Sequence, residues 1–538
     1  MALSYASGLC EQPLLGETIG ANLERTVAQF GDREALVSRH QSLRYTYADF
    51  NREVDRVARS LLAVGLQKGD RLGIWSPNCA EWAIVQYATA KVGVVLVNIN
   101  PAYRTSELAY ALRQSGCRML IAARSFKTSD YVAMVDELRG ELPDLERVTF
   151  LDAPDWTELL DGCISIEPEE LRRRSASLEF DDPINIQYTS GTTGAPKGAT
   201  LTHHNILNNG YFVGEFCRYT ENDRVCIPVP YYHCFGMVMG NLACTSHGAC
   251  MVVPAPAFEA AAVLETVTDE RCTSLYGVPT MFIAELDHPE FDSYDLSSLR
   301  TGIMAGSACP ESVMRSVIER MHMNEVGICY GMTETSPVST QTAPDDDLDR
   351  RVGTVGRVHP HLEIKIIDER GHTVERNAPG ELCTRGYSVM LGYWDDRERT
   401  AEVIDAARWM HTGDLATMDD EGYIAIVGRS KDMVIRGGEN VYPREVEEFL
   451  YTHEAISDVA VVGVPDESYG EEIAAFVIVR EGATVTEDEV REHCKGKIAH
   501  YKIPRYVRFV DEFPMTVTGK IQKFKLRDRA TEDLALQH

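Results

Sequence analysis

Residues Tyr188–Gly198 read YTSGTTGAPKG and follow Ile184–Gln187, whose apolar-polar alternation predicts a short β-strand. The run contains three glycines, five side chains with a hydroxyl group and one lysine, Lys197. Glycine lets the backbone turn its N–H groups toward a ligand, and the hydroxyls and the lysine add donors and positive charge. This composition predicts a loop that holds an anion with several oxygens, most simply a polyphosphate. It is not a Walker A motif, because Lys197 is followed by Gly198 rather than by serine or threonine.

The bulk composition is that of a soluble globular protein with more than one domain. The chain has 538 residues, of which 44% are hydrophobic and 25% charged, and its net charge is −29. This charge argues against a nucleic-acid partner and against an anionic membrane surface. The 14 cysteines form no CxxC pair, which predicts buried free thiols in a reducing compartment. We see no signal-peptide pattern in residues 1–20 and no apolar run of about 18 residues, so we expect a cytoplasmic protein without an integral membrane segment.

Helix and strand patterns alternate through most of the chain. Helical spacing over Tyr47–Val64 and Ala80–Lys91 flanks the apolar strands Arg71–Trp75 and Val92–Val97, and this order predicts an α/β fold with buried parallel strands. After residue 350, short strands separated by turn residues predict a β-rich module. After Gly428 the pattern predicts a compact α+β unit that contains a helix over Glu487–Ala499. We therefore expect a large domain over residues 1–428, a boundary at 429–432 and a small domain over 433–538.

A second run with chemical potential is Ile328–Thr335, ICYGMTET. Tyr330 and Gly331 offer an aromatic face beside a turn, Thr333 offers a hydroxyl for a phosphate, and Glu334 offers a hard oxygen ligand for Mg²⁺. A third run, Met304–Ala308, reads MAGSA. Its small residues allow a flat ring or a ribose to approach closely, and a tight strand-to-helix turn capped by Ser307 explains the run equally well.

The remaining candidates are ordinary when each is taken alone. Asp414 in the run WMHTGDL has the pattern of a cap or a surface residue, and Gly437-Gly438 has that of a β-turn. Lys520, in the run PMTVTGKI near the chain end, has the pattern of a solvated surface lysine. The six runs taken together, in their order along the chain, resemble the adenylate-forming (AMP-binding) superfamily, which includes acyl- and aryl-CoA synthetases, firefly luciferase and the adenylation domains of peptide synthetases.

The resemblance implies a role for each matching residue. It implies Lys520 as the catalytic lysine of adenylation, Asp414 as the acceptor of the ribose hydroxyls, Lys431 as the hinge of a mobile C-terminal domain, and Glu334 as the ligand of Mg²⁺. The implied catalytic residues are Lys520, His233, Thr333 and Glu334. The implied binding residues for ATP and coenzyme A are Thr189, Ser190, Gly191, Thr192, Thr193, Gly194, Lys197, Gly306, Ser307, Ala308, Tyr330, Gly331, Asp414, Arg429, Gly437 and Gly438.

The run Pro228–Met237, PVPYYHCFGM, bears on the acid substrate. A lone histidine is more often a core residue than a catalytic one, but the run resembles the segment of acyl- and aryl-CoA synthetases whose histidine faces the carboxylate. It lacks the aspartate with which amino-acid adenylation domains bind the substrate ammonium, which argues against an amino-acid substrate. The expected walls of an acyl pocket are Tyr232, Met237, Val238, Gly277 and Met304.

Two further runs, Asn100–Arg104 with Glu107 and Leu275–Phe282, resemble the medium-chain branch of the fatty acyl-CoA synthetases. The sequence thus looks most similar to the medium-chain and long-chain fatty acyl-CoA synthetases, which implies ATP, Mg²⁺ and coenzyme A as partners of a fatty carboxylate. An acyl-AMP ligase that loads a carrier protein, an aryl-CoA ligase and a non-catalytic nucleotide-binding protein remain as alternatives. Acyl chain length and oligomeric state stay open, and a homodimer is one of the options.

Overall fold

A computed structural model describes residues 2–189, 196–307, 309–429, 431–436, 439–466, 468–516 and 520–535 of the chain. In these ranges helices alternate with strands, and two largely parallel sheets share a common helical core, so the predicted α/β class is confirmed. No helix in the described ranges is both long enough and apolar enough to cross a membrane.

Two sheets, A and B, contain most of the strands of the large domain. The strands of sheet A, in spatial order, are Gly392–Tyr393, Lys197–Thr202, Pro183–Thr189, Val95–Asn98, Arg71–Trp75, Met119–Ala122 and Arg147–Phe150. Those of sheet B are Arg357–Val358, Val338–Gln341, Glu325–Gly331, Thr301–Ala305, Ser274–Gly277, Arg224–Cys226, Cys250–Val253, Glu34–Ser38 and Leu43–Thr46. The central strands of both sheets are parallel. Antiparallel strands flank them at one edge of sheet A, where the predicted phosphate loop lies, and at both edges of sheet B.

The helices of the large domain pack between and outside these sheets. They are Ile19–Phe30, Tyr47–Ala63, Ala80–Val92, Thr105–Ser115, Tyr131–Leu138, Pro154–Asp161, Pro168–Ser175, His203–Phe216, the π-helix Phe235–Leu242, Ala243–His247, Ala260–Glu270, Pro279–Leu286, Glu311–Arg320, Leu348–Gly353 and Arg397–Val403. Short 3₁₀ turns cover Arg139–Glu141, Gly162–Ser165, Phe291–Ser293 and Thr333–Thr335.

Local signals explain where the predicted helices begin and end. Tyr47–Ala63 starts at a capping box in which Thr46 and Asp49 exchange hydrogen bonds between side chain and backbone. The predicted strand Val92–Val97 begins too early. Val92 still belongs to the preceding helix, and Gly93 ends that helix at φ +71, so the strand is Val95–Asn98.

The β-rich module is sheet C, with strands Tyr5–Ser7, Leu362–Ile367, Gly380–Gly386, Met410–Met418 and Ile424–Arg429 in spatial order. The predicted module lacked its first strand, because Tyr5–Ser7 lies more than 350 residues away in sequence from its partner. Ala6 pairs with Ile364 in an antiparallel ladder. The edge of sheet C therefore depends on a long-range contact that local patterning does not reveal.

The small unit contains sheet D, in which Gly470–Val479 pairs with Ile456–Asp466, Val434–Arg436 and Tyr506–Phe509, and Glu439–Val441 pairs with Val434–Arg436. Its helices are Pro443–Leu450, Glu487–Cys494 and Lys523–Ala535, and a 3₁₀ turn covers His500–Lys502. The one remaining pair of described strands, Ser125–Phe126 with Ser129–Asp130, is a short ribbon in the large domain. The predicted helix Glu487–Ala499 is too long. Lys495 is extended at φ −61 and ψ 129 and Gly496 takes φ +71, so the helix ends at Cys494.

Candidate active site

The predicted phosphate loop connects two paired strands. Thr189 pairs with Lys197 at the end of the antiparallel ladder between Pro183–Thr189 and Lys197–Thr202. Residues Ser190, Gly191, Thr192, Thr193 and Gly194, which were predicted to bind phosphate, lie outside the described residues. The ammonium of Lys197 lies 5.0 Å from the centre of the Tyr393 ring. The two ends of the loop are thereby fixed to the edge of sheet A.

Glu334 is held next to this hairpin. The residue is 6% exposed, and Oε1 accepts hydrogen bonds from Tyr393 Oη at 2.9 Å and from Thr189 Oγ1 at 3.5 Å. Thr333 begins the same 3₁₀ turn and is also buried. The structure thus brings the first two runs together. It also adds Tyr393, which the sequence analysis missed because a tyrosine in the run LGYWDD carries no motif of its own.

Tyr330, Asp414 and Arg429 form a chain of hydrogen bonds across sheets B and C. The phenol of Tyr330 donates to Asp414 Oδ2 at 2.6 Å, and Nε of Arg429 donates to Asp414 Oδ1 at 3.1 Å. Burial and the charge of Asp414 raise the pKa of Tyr330 well above its usual value, so the phenol remains a donor. Gly331 next to it has no room for a side chain, since a Cβ would lie 1.7 Å from the carbonyl oxygen of Pro337.

The run Met304–Ala308 continues sheet B toward this chain of residues. Gly306 follows the strand at φ +97, and Ser307 is exposed. The next helix begins only at Glu311, with Pro310 at its N-cap, so the alternative in which Ser307 caps a helix is wrong. Ala308 lies outside the described residues.

Lys520 reaches this site from the small unit. Burial lowers the pKa of its ammonium and the guanidinium of Arg429 lowers it further, whereas the carboxylates of Asp414 and Glu334 raise it. The backbone supports this position, because Lys520 N–H donates to Thr516 Oγ1 at 3.0 Å. The pattern near the chain end gave Lys520 the character of a surface lysine, whereas in the structure it is partly buried and lies within electrostatic range of Asp414, Arg429 and Glu334.

His233 also lies within electrostatic reach of Lys520. Burial lowers the pKa of His233 to about 3, and the charge of Lys520 is the second cause. The backbone N–H of Phe235 donates to Nδ1 of His233 at 3.1 Å. The neutral imidazole therefore carries its proton on Nε2, where it can be donated to a ligand.

The predicted acyl-pocket residues do not all come together. Tyr232, Met237 and Val238 pack in or against the core cluster between sheets A and B, whereas Met304 packs in a different cluster on the other face of sheet B. Met304 faces away because it alternates along its strand with Ile303 and Ala305. Gly277 packs against the ring of Phe282, and a Cβ at position 277 would lie only 2.9 Å from a carbon of that ring.

Two amide side chains, which the sequence analysis also missed, hold Met237, one of the residues predicted to line the acyl pocket. Asn98 Nδ2 and Gln187 Nε2 each lie 3.1 Å from Sδ of Met237 and donate to it. They are paired with each other on neighbouring parallel strands of sheet A, so their convergence depends on strand order and register. The predicted loop Gly437-Gly438 lies outside the described residues, and the hinge role of Lys431 stays a prediction.

Comparison with known proteins agrees with this arrangement. The AMP-binding enzyme family matches residues 23–394, and the AMP-binding enzyme C-terminal domain matches residues 445–520. YngI of Bacillus subtilis (strain 168), named as an acyl-CoA synthetase, is 50% identical over 96% of this chain and 98% of its own. The mitochondrial medium-chain acyl-CoA ligase ACSF2 of Rattus norvegicus is 45% identical over 99% of this chain and 91% of its own.

A solved structure gives the same result for the fold. The anthranilate CoA ligase AuaEII, crystallised with anthranoyl-AMP, superposes with a TM-score of 0.86 at 29% identity and covers 98% of this chain and 99% of its own. The two family models match most of the chain, and the relative from Bacillus subtilis is similar over nearly its whole length. The chain therefore belongs to the AMP-binding enzyme family.

Proposed function

We propose that this protein is an ATP-dependent fatty acyl-CoA synthetase, which joins a fatty carboxylate to coenzyme A and releases AMP and diphosphate. The observation that carries the proposal is the position of Lys520. Its ammonium belongs to the small unit, yet its pKa responds to Asp414, Arg429 and Glu334 of the large domain. A lysine in this position is suited to adenylation rather than to nucleotide binding alone.

In the first half-reaction a carboxylate oxygen attacks the α-phosphorus of ATP, and the bond from that phosphorus to the diphosphate oxygen breaks. Negative charge grows on the phosphate oxygens during this step, and the Lys520 ammonium is the group that would stabilise it. His233 would donate from Nε2 to the other carboxylate oxygen and so orient the acid. Because its pKa is about 3, His233 stays neutral near pH 7 and does not compete with Lys520 as a cation.

The nucleotide would lie along Tyr330, Asp414 and Arg429. Asp414 has two carboxylate oxygens already aligned by Tyr330 and Arg429, and each retains a further lone pair for a ribose hydroxyl. The aromatic face of Tyr330 would stack against the base. Thr189 and Lys197, at the two ends of the loop, would bind the β- and γ-phosphates together with the loop residues.

Glu334 fits the Mg²⁺ that accompanies ATP. In the described residues both hydrogen bonds to its carboxylate go to Oε1, which leaves Oε2 as a hard oxygen ligand beside the phosphate hairpin. When bound there, Mg²⁺ would neutralise phosphate charge. Tyr393 holds the carboxylate in place through its 2.9 Å hydrogen bond.

In the second half-reaction the thiol of coenzyme A attacks the acyl carbonyl carbon, and the bond to AMP breaks. We propose that the small domain, residues 433–538, rotates about Lys431 and brings Gly437-Gly438 to the pantetheine channel. The motif match supports this step, and we propose the same boundaries as above, with residues 1–428 as the large domain and 429–432 between them.

The acid is proposed to be a medium-chain fatty acid, since the apolar wall includes Met237 and Val238 and the rat relative is named a medium-chain ligase. An aryl acid is the alternative, because one similar solved structure is named an anthranilate CoA ligase. A cytoplasmic location is likewise a proposal for this chain; the rat relative is named mitochondrial.

Release of diphosphate, measured with octanoate, palmitate, benzoate and anthranilate with and without coenzyme A, tests the proposal. We expect diphosphate with octanoate and a soluble thioester only when coenzyme A is present. Diphosphate release without any thioester would instead indicate a ligase that loads a carrier protein, and benzoate or anthranilate as the best substrate would indicate an aryl-CoA ligase. Nucleotide binding without diphosphate from any acid would remove the enzymatic assignment.

A further inference from the structure

Sheet C carries a cluster of metal-ligating side chains that the adenylation chemistry does not use. Glu381 and Cys383 lie on the strand Gly380–Gly386, and His411 lies on the neighbouring strand Met410–Met418. One potential ligand atom from each of the three lies within 4.8 Å of the others. We propose that Glu381, Cys383 and His411 form a binding site for one zinc ion.

The strand register creates this juxtaposition. Cys383 is paired directly with His411 across the antiparallel ladder, so the two side chains leave the sheet on the same face. Glu381 is two residues before Cys383 and returns to that face, with an irregularity in the ladder between them. Three ligands on two adjacent strands are therefore held by the sheet rather than by a loop.

The distances fit tetrahedral coordination. His411 Nδ1 lies 3.1 Å from Glu381 Oε2 and 3.6 Å from Cys383 Sγ. Bonds of 2.0–2.3 Å from zinc to nitrogen, oxygen and sulfur give separations of about 3.3–3.8 Å between ligand atoms at tetrahedral angles. For the two pairs that involve His411 Nδ1, a zinc ion would need shifts of only a few tenths of an ångström, and the ligand atoms of Glu381 and Cys383 lie within 4.8 Å of each other. Solvent would supply a fourth ligand, because Glu381 and His411 are each 30% exposed.

The groups around the ligands also have the arrangement of a metal site. His411 Nε2 lies 3.9 Å from Asp405 Oδ2, so the ring nitrogen opposite the ligand atom faces a carboxylate, as in many zinc sites. Gly413 N–H donates to Glu381 Oε1 at 3.1 Å, which directs Oε2 toward the cluster. Lys365 is paired with Cys383 on the other neighbouring strand. Burial raises the pKa of the Cys383 thiol to about 12, so zinc binding has to displace the thiol proton.

The ligand set selects the metal class. A thiolate, an imidazole and a carboxylate favour zinc and other borderline-soft transition ions, whereas Mg²⁺ takes oxygen ligands only. The site is therefore distinct in chemistry from the Mg²⁺ site proposed at Glu334. Binding would release the thiol proton of Cys383 and would tie two strands of sheet C together, which should raise the thermal stability of the whole protein.

The test is zinc titration of the full-length protein by calorimetry, in a Cys10→Ser background that removes an exposed thiol. We expect one tight equivalent of zinc and a higher Tm. His411→Gln and Cys383→Ser should each weaken binding at least about 100-fold, and Asp405→Asn about 10–100-fold, since it removes only the partner of the coordinating ring. The matched control is His372→Gln, because His372 lies 3.8 Å from Asp368 at an exposed turn of the same sheet and should leave the titration unchanged.

Cobalt gives a second readout, which identifies the ligand atoms of the bound ion rather than its affinity. Bound at this site, Co²⁺ should show a thiolate charge-transfer band that disappears in Cys383→Ser and persists in His372→Gln. If Cys383→Ser does not fold, Glu381→Gln and His411→Gln, which change partly exposed side chains, decide the titration. The inference is overturned by weak binding of several zinc ions, by zinc binding that survives His411→Gln, or by a cobalt complex without the thiolate band.

Discussion

The phenol of Tyr330 donates a 2.6 Å hydrogen bond to Oδ2 of Asp414, which lies 84 residues later on a different sheet. Arg429, the register partner of Asp414 on the neighbouring strand, donates a hydrogen bond to the other oxygen, Oδ1, of the same carboxylate. The carboxylate is thus oriented before any nucleotide binds. Such preorganisation lowers the cost of binding a ribose diol, because the acceptor does not have to be ordered at that moment.

We expect Asp414→Ala to weaken ATP binding and to leave fatty-acid binding nearly unchanged. Each hydroxyl hydrogen bond left unmade should cost about 1–3 kcal/mol, so the Kd for ATP should rise by about tenfold or more. Tyr330→Phe keeps the aromatic ring and removes only the hydrogen bond that orients the Asp414 carboxylate, so it should raise the Kd for ATP by less than Asp414→Ala does. Calorimetric titration with ATP measures both, and an unchanged Kd in Asp414→Ala would contradict the ribose assignment.

Lys520→Ala should lower the rate of adenylate formation by about 10²–10³-fold and spare thioester formation from a supplied acyl-adenylate. The reason is that charge develops on the phosphate only in the first half-reaction. Lys525→Ala is the matched control, because Lys525 is an exposed lysine five residues further on. The two half-reactions are measured separately; equal losses in both would show that Lys520 serves the fold rather than adenylation.

Tyr393→Phe should reduce diphosphate release by about two- to tenfold, because Glu334 loses a hydrogen bond worth about 0.5–1.5 kcal/mol. The ring that faces Lys197 remains, so the loss should lie in the Mg²⁺ dependence rather than in folding. Tyr423→Phe is the control, since Tyr423 donates to Asp346 in a similar pair away from the site. A Mg²⁺ titration of the rate that is identical for both variants would exclude a role for Tyr393 at the metal.

Glu285 is a stability liability in the core of the large domain. It is 1% exposed, and neither carboxylate oxygen has a hydrogen-bond partner in the described residues. Burial raises its pKa well above 4.5, so the unfolded chain ionises first as pH rises, and stability falls above about pH 4.5. Glu285→Met should therefore raise the free energy of unfolding, with a gain that grows from pH 5 to pH 7. Denaturant unfolding at these pH values checks this, and a gain that does not change with pH would mean that Glu285 is charged in the folded protein.

Buried histidines should make the protein sensitive to acid. Burial lowers the pKa of His203, His233 and His359 from 6.5 to about 3. Below about pH 6.5 the unfolded chain binds protons that the folded chain does not, so stability should fall as pH drops toward 3. His359→Gln should make the decline less steep, because the unfolded chain then takes up as much as one proton fewer than the unfolded parent protein does. Unfolding measured between pH 4 and 7 gives the slopes, and identical slopes would refute the assignment for His359.

The sequence alone determined the class of fold, several helices and strands of the large domain, and the order of the nucleotide-binding runs. It could do so because hydrophobic periodicity and loop composition are local properties, as in Tyr47–Ala63 and Tyr188–Gly198. Local signals misplaced the boundary where Gly93, at φ +71, ends one helix, and again where the extended Lys495 ends another.

Only the tertiary structure decided which distant residues meet. It brings Lys520 to His233 and Glu334, adds Tyr393 to the phosphate hairpin, and separates Met304 from Met237 on opposite faces of sheet B. It also aligns Cys383 with His411. Strand order, register and packing between domains fix these contacts, and they depend on interactions between residues tens to hundreds of positions apart, which no local pattern in the chain encodes.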